Sequence, residues 1–170
     1  MKTFILLSAV PGAGKSTWAE QYRLTHKNVK VVSSDAVRKE ITGAFQNFEH
    51  EDEVWAKYFS LINEYAEKYD DITVIADSTN LRNCYREKYV EQVKGFDFKM
   101  LVVFKKDLDV LLYQNKLRSE AQIVPDDVLI SMYNSFEEPS QKVIDFFDEY
   151  TVIYKRFDSS KVKDSFHYQK

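Results

Sequence analysis

Short apolar runs alternate along this chain with longer stretches in which apolar positions recur every three or four residues. Residues 3–9 (T-F-I-L-L-S-A), 29–32, 72–76, 96–104 and 150–154 are the runs, and each predicts a buried strand. Residues 16–26 carry Trp18, Ala19, Tyr22 and Leu24 at near-helical spacing, and residues 36–41 predict a short helix stopped near Gly43. Residues 51–69 place Val54, Trp55, Tyr58, Leu61, Ile62, Tyr65 and Tyr69 on one stripe behind an acidic first turn. That is a long amphipathic helix, expected to pack within this chain. Leu81, Tyr85, Tyr89 and Val93 repeat every four residues, so a further helix runs to about Lys94 with Gly95 ending it. Residues 107–117 follow, with Leu108, Leu111 and Leu112 inward. Pro125 opens the next helix, whose apolar face is Val128, Leu129, Met132, Tyr133 and Phe136, and residues 143–147 give a last short one. Residues 44–50 and 118–124 lack periodicity and read as a surface loop and a connecting segment. A domain over 1–157 and a polar tail over 158–170 complete the division.

Strand runs that are apolar throughout, alternating with helices, predict a three-layer α/β fold. Its five-stranded sheet is mostly parallel and flanked by helices. In such sheets the ligand sits beyond the carboxyl ends of the strands. Those ends present residues 10–16, 33–38, 77–80 and the stretch after Phe104.

Composition changes this picture little. Hydrophobic residues at 44% and charged residues at 30% are ordinary for a globular chain of 170 residues, enough for one real core. A net charge of −3 excludes a global basic footprint for coating long nucleic acid, while leaving room for a local basic site. The single cysteine, Cys84, excludes an internal disulfide and suits a reducing cytoplasm; the residue itself reads as a small core side chain rather than a nucleophile. No apolar run reaches membrane-spanning length, and no signal peptide is expected, because residues 3–9 are needed as a strand. His26, His50 and His167 are scattered, which argues against a zinc site.

The chemistry begins behind the first strand. Val10-Pro11-Gly12-Ala13-Gly14-Lys15-Ser16-Thr17 joins a strand to a helix, the layout of a phosphate-binding loop. Pro11 opens the loop, backbone N–H groups from Gly12 to Thr17 and the helix N-terminus converge on an anion, Lys15 reaches the outer phosphates, and the Ser16 hydroxyl meets Mg²⁺. A nucleotide and Mg²⁺ are therefore the expected ligands of the loop. The pattern's first glycine is replaced by Ala9, acceptable if that residue keeps φ below zero.

Two carboxylates stand at neighbouring strand ends. Asp35 is either the base that takes a proton from a phosphoryl acceptor or an N-cap for the helix at Ala36. Asp77 either assists Mg²⁺ or caps the helix over residues 81–93. Arg38, one turn after Asp35, either forks onto an acceptor phosphate or pairs with Asp35 or Asp77. Arg118, with Lys116 near it, reads as a cationic lid or a solvated helix end, and Lys105 and Lys106 as a charged surface turn.

Ala9 to Thr17, Ser34-Asp35-x-x-Arg38, Asp77-x-Thr79-Asn80-Leu81, Asn115-Lys116-x-Arg118 and Val124-Pro125-x-Asp127-Val128-Leu129-x-Ser131-Met132-Tyr133 come in a familiar order and spacing. In these the chain resembles the 5′-kinase domain of the phage-type polynucleotide kinases, within the zeta-toxin-like P-loop kinases, over about residues 3–155. The resemblance implies a P-loop NTPase/kinase fold and transfer of the γ-phosphate of ATP to the 5′-hydroxyl of a DNA or RNA end. It implies that Lys15 and Ser16 bind phosphates and Mg²⁺, that Asp35 is the general base and that Arg38 contacts the acceptor phosphate. Arg118 would be the lid arginine, and Thr79 and Asn80 substrate-side contacts. A phage-encoded chain would act in the host cytoplasm. The family's second lid arginine is here Gln114, so its charge falls to Lys15, Mg²⁺ and Arg118, or to Arg82 or Arg86. The D-x-D-x-T pattern of an accompanying 3′-phosphatase is absent, so a stand-alone kinase is expected. The alternatives are a kinase of a small molecule such as a nucleoside, nucleotide sugar or antibiotic, which the pI of about 5.7 favours, and a slow nucleotide-binding regulatory module.

Overall fold

A computed structural model describes residues 1–154, so the tail over 158–170, the boundary at 157 and His167 lie outside the described residues. The strands are β1 (Lys2–Ser8), β2 (Val29–Ser33), β3 (Ile72–Asp77), β4 (Phe98–Phe104) and β5 (Glu149–Ile153). They form one sheet in the order β2-β3-β1-β4-β5, and every pairing is parallel.

Parallel strands covered on both faces send alternate residues into two cores. Phe4, Leu6, Val74, Ala76, Leu101 and Val103 face one layer. There they meet Val37 of α2 (Ser34–Thr42), Tyr58 and Ile62 of α3 (Glu51–Lys68), Tyr89 of α4 (Asn83–Gln92) and Val143 of α7 (Gln141–Phe146). Ile5, Leu7, Ile75, Met100 and Val102 face the other, against Trp18 and Ala19 of α1 (Lys15–Thr25), Leu111 of α5 (Leu108–Lys116) and Leu129 of α6 (Asp126–Ser135). The long helix α3 buries Val54, Tyr58 and Ile62 of the predicted stripe inside this chain together with Phe59 and Ala66, while Trp55, Leu61 and Tyr65 are partly covered and Tyr69, its C-cap, is exposed. Among the described residues no helix is long and apolar enough to cross a membrane.

Several local expectations are corrected. α4 starts at Asn83 rather than Leu81 and closes on Val93, with Gly95 a separate left-handed residue two positions on. β4 starts at Phe98, and the connecting segment contains a 3-10 turn, Glu120–Gln122. Cys84 is exposed on α4 and not a core residue, because α4 turns Arg86 and Tyr89 inward instead. Lys106 is buried, so only Lys105, paired with Glu138, behaves as a surface charge. Val128 and Tyr133 stay exposed on α6, where Leu129 alone is fully covered.

Candidate active site

The parallel register brings the predicted strand ends together. Leu6 pairs with Ala76 and Ser33 with Asp77, so the loop after β1, Asp77 and the start of α2 share one crevice. Ala9 is buried, avoids positive φ and donates its N–H to the Thr79 carbonyl at 2.8 Å. The missing glycine therefore distorts nothing.

The loop turns its backbone toward the crevice, with the Ala13 N–H donating to the Val10 carbonyl at 3.2 Å. Gly12 and Gly14 take φ of 88° and 93°, the left-handed region in which a Cβ is penalised. Gly14 is the N-cap of α1, and no side chain caps that helix and no acid sits in its first turn. Its N-terminal amides and positive dipole end are thus left for an anion. Gly12 is required twice over, since a Cβ there would stand 2.9 Å from the Leu111 carbonyl and 3.1 Å from the Asn115 nitrogen. At Gly14 a Cβ meets nothing. Gly12→Ala is expected to cost about 1–2 kcal/mol from the backbone alone, a fall of about 2–8 °C in Tm, plus the clash. Thermal unfolding of Gly12→Ala beside Gly14→Ala checks this, with Gly12→Ala the lower of the two.

Lys15 and Asp77 lie buried with Nζ 3.8 Å from Oδ1, and the Ser16 hydroxyl donates to Asp77 Oδ2 at 2.8 Å. Asp77 is the last residue of β3 and six residues before α4, so it caps no helix. One carboxylate and one hydroxyl side by side suit a magnesium ion that takes its other ligands from phosphates and water. Among the described residues no three His, Cys, Asp or Glu converge as a larger ligand set.

Asp35 does not cap α2 either: Ser33 does, its hydroxyl accepting from the Ala36 N–H at 3.2 Å. Asp35 is left free for Arg38, whose Nη1 donates to its Oδ1 at 2.7 Å. Arg38 also forks onto Glu51, Nε to Oε1 at 2.7 Å and Nη2 to Oε2 at 3.1 Å. Burial lowers the proton affinity of Arg38, but the Glu51 and Asp35 partners outweigh it and the pKa rises. Phe48 stacks on the guanidinium at 4.7 Å, and the Trp55 indole donates to Glu51 at 3.0 Å. Neither Glu51 nor Phe48 is a residue that periodicity selects for the site.

Arg118 hangs over the crevice from the segment after α5. Burial lowers its pKa, and Asp35 and Asp77 push it back up. The segment is stapled by Asn115, fully buried, whose amide donates to the Val124 carbonyl at 2.6 Å and accepts the Val124 N–H at 3.1 Å. Arg118, Lys15 and Gln122 line two cavities at once. The first, about 350 Å³, holds Gly12, Gly14, Ser16, Thr17 and Gln114. The second, about 300 Å³, holds Pro11, Asp35, Arg38, Asp77 and Thr79 with Phe45, Phe48, Trp55 and Val128.

Two expected site residues carry bonds within the protein. The Asn80 side chain donates to the Leu7 carbonyl at 2.9 Å and accepts from the Tyr89 hydroxyl at 2.9 Å, and the residue stands beside Thr79 in the lining of a further cavity. Arg86 does not replace the absent lid arginine. It is fully buried, and its donors go to Asn80, Leu81 and Glu137 carbonyls, Asn83 Oδ1 and Ser8 Oγ. Arg82 lies 3.7 Å from Glu137 and lines a further cavity, beyond these two.

A parallel β2-β3-β1-β4-β5 sheet carrying this loop defines an α/β protein of the P-loop kinase fold. The chain belongs to the AAA domain family, which matches residues 5–139. A comparison with curated proteins finds no match. Among solved structures it is similar to a gluconokinase from Sinorhizobium meliloti 1021, at 19% identity over 96% of this chain and 88% of that one, with a TM-score of 0.60. A sugar kinase from Janibacter sp. HTCC2649 is 19% identical over 96% and 91%, with a TM-score of 0.65. The Pnkp1/Rnl/Hen1 RNA repair complex matches over 86% of this chain but 46% of that chain, at 16% identity and a TM-score of 0.67. At these identities the likeness is one of fold.

Proposed function

We propose that the protein is an ATP-dependent polynucleotide 5′-hydroxyl kinase. Asp35 takes the proton of the acceptor hydroxyl, the oxygen attacks the γ-phosphorus, and the bond to the bridging oxygen breaks to release ADP. Lys15 and Arg118, which line both cavities, would face the transferring phosphoryl group. Ser16 and Asp77 would hold Mg²⁺, which neutralises phosphate charge when bound.

One observation carries the reading of the acceptor. The cavity at Asp35 continues outward into another of about 420 Å³, the two sharing Arg38, Phe48, Trp55, Ser78, Thr79 and Met132. Aromatic walls, with Arg82, Tyr85 and Lys88 further out, suit stacked bases and a phosphate backbone better than a polyhydroxyl sugar. Arg38 uses three of its five N–H donors in the clamp, and two remain for a phosphate.

A second reading, a kinase of a small alcohol, rests on the same clamp. Arg38 with Asp35 and Glu51 carries a net charge of −1, which suits a neutral polyol better than a phosphate, and one of the similar structures is a sugar kinase. The test is γ-labelled ATP with Mg²⁺, offered 5′-hydroxyl oligonucleotides, nucleosides, gluconate or no acceptor. Label on oligonucleotides is the expected result. Label confined to a nucleoside or sugar establishes the second reading, and phosphate release indifferent to acceptor removes both.

A further inference from the structure

We propose that Tyr113 and Leu117 form the platform on which the base of the donor nucleotide stacks. This rests on the reading of the phosphate loop as the seat of a nucleoside triphosphate. The two side chains stand at i and i+4 on α5 and its C-cap, one above the other on one face. They are 66% and 63% exposed, whereas Leu111 and Asn115 on the opposite face are buried. An aromatic and an aliphatic side chain are therefore held in solvent on a helix that already has a core face.

Their position selects the occupant. Both line the cavity whose other wall is Gly12, Gly14, Ser16 and Thr17, and its volume of about 350 Å³ is in the range of a small-ligand site. The loop fixes the phosphate end of any ligand there, so the apolar wall is left for the other end. Neither residue lines the cavity at Asp35, which separates them from the acceptor. The distance between platform and cradle is set by backbone against backbone, since the Gly12 Cα packs beneath the Leu111 carbonyl and the Asn115 nitrogen. A flat π-face accepts any base, so the platform supplies affinity for a nucleotide over bare phosphate and little choice among bases.

Calorimetric titration of the full chain with ADP and with inorganic tripolyphosphate tests this. Tyr113→Ala is expected to weaken ADP binding about tenfold and to leave tripolyphosphate within about twofold, and Tyr113→Phe to restore ADP binding. ADP affinity unchanged in Tyr113→Ala, or an equal loss for both probes, overturns the platform. So does a wild-type protein that holds tripolyphosphate as tightly as ADP, because the base then adds nothing. Wild-type protein that binds neither probe removes the donor-site reading itself.

Discussion

Replacing Asp35 with asparagine is expected to slow phosphoryl transfer by roughly 10²–10⁴-fold while ATP binds as before. The substitution keeps an oxygen at the place of Oδ1, so Arg38 retains its 2.7 Å acceptor and the clamp to Glu51 is untouched. Ser33 caps α2, so no cap is lost. What disappears is basicity, together with one first-turn charge. The helix-dipole share of that charge is about 0.3–1 kcal/mol, against the roughly 3–5.5 kcal/mol that the rate loss represents. The two effects are therefore separable by size. Single-turnover transfer measured beside ATP affinity decides the matter, and a wild-type rate would leave Asp35 only the partner of Arg38. Because Asp35 and an acceptor phosphate address the same guanidinium, Asp35→Asn is also expected to change acceptor affinity less than rate.

How much of this was readable in the chain depends on how far each partner lies in sequence. The loop, Ser16, Asp35 and Asp77 were legible because a strand, its end and the next helix are contiguous, and parallel sheets gather strand ends at one edge. Glu51 was not. Its position at the start of α3 reads as a helix-dipole acid, and nothing local says that Arg38, in another helix, lies opposite. Phe45 and Phe48 sit in an aperiodic stretch, where pattern carries no information about which surface they line. The partners of the Asn80 amide, Leu7 and Tyr89, stand 73 and 9 residues away, and no local pattern marks them either. Periodicity reports which face of an element is apolar; it is silent about what stands across from a polar one.

Arg86→Met is expected to cost about 3–5 kcal/mol of stability, the largest single loss predicted for a residue that touches no ligand. Arg86 has no carboxylate within its hydrogen bonds, and burial pushes its pKa down to about 10, so the charge persists at neutral pH at a penalty. Five charge-assisted bonds at about 1.5–3 kcal/mol each offset that penalty. Methionine keeps the aliphatic stem but leaves the Glu137 carbonyl without its 2.7 Å donor and Asn80 and Leu81 one donor short. Urea unfolding should show a lower midpoint at unchanged slope, with Arg86→Lys recovering part of it. An unchanged midpoint would mean that the loops hold themselves. The same bonds fix Asn80 beside Thr79, whose carbonyl receives the Ala9 N–H. Stability and nucleotide affinity should thus fall together in Arg86→Met, whereas Asp35→Asn loses the chemistry and keeps both.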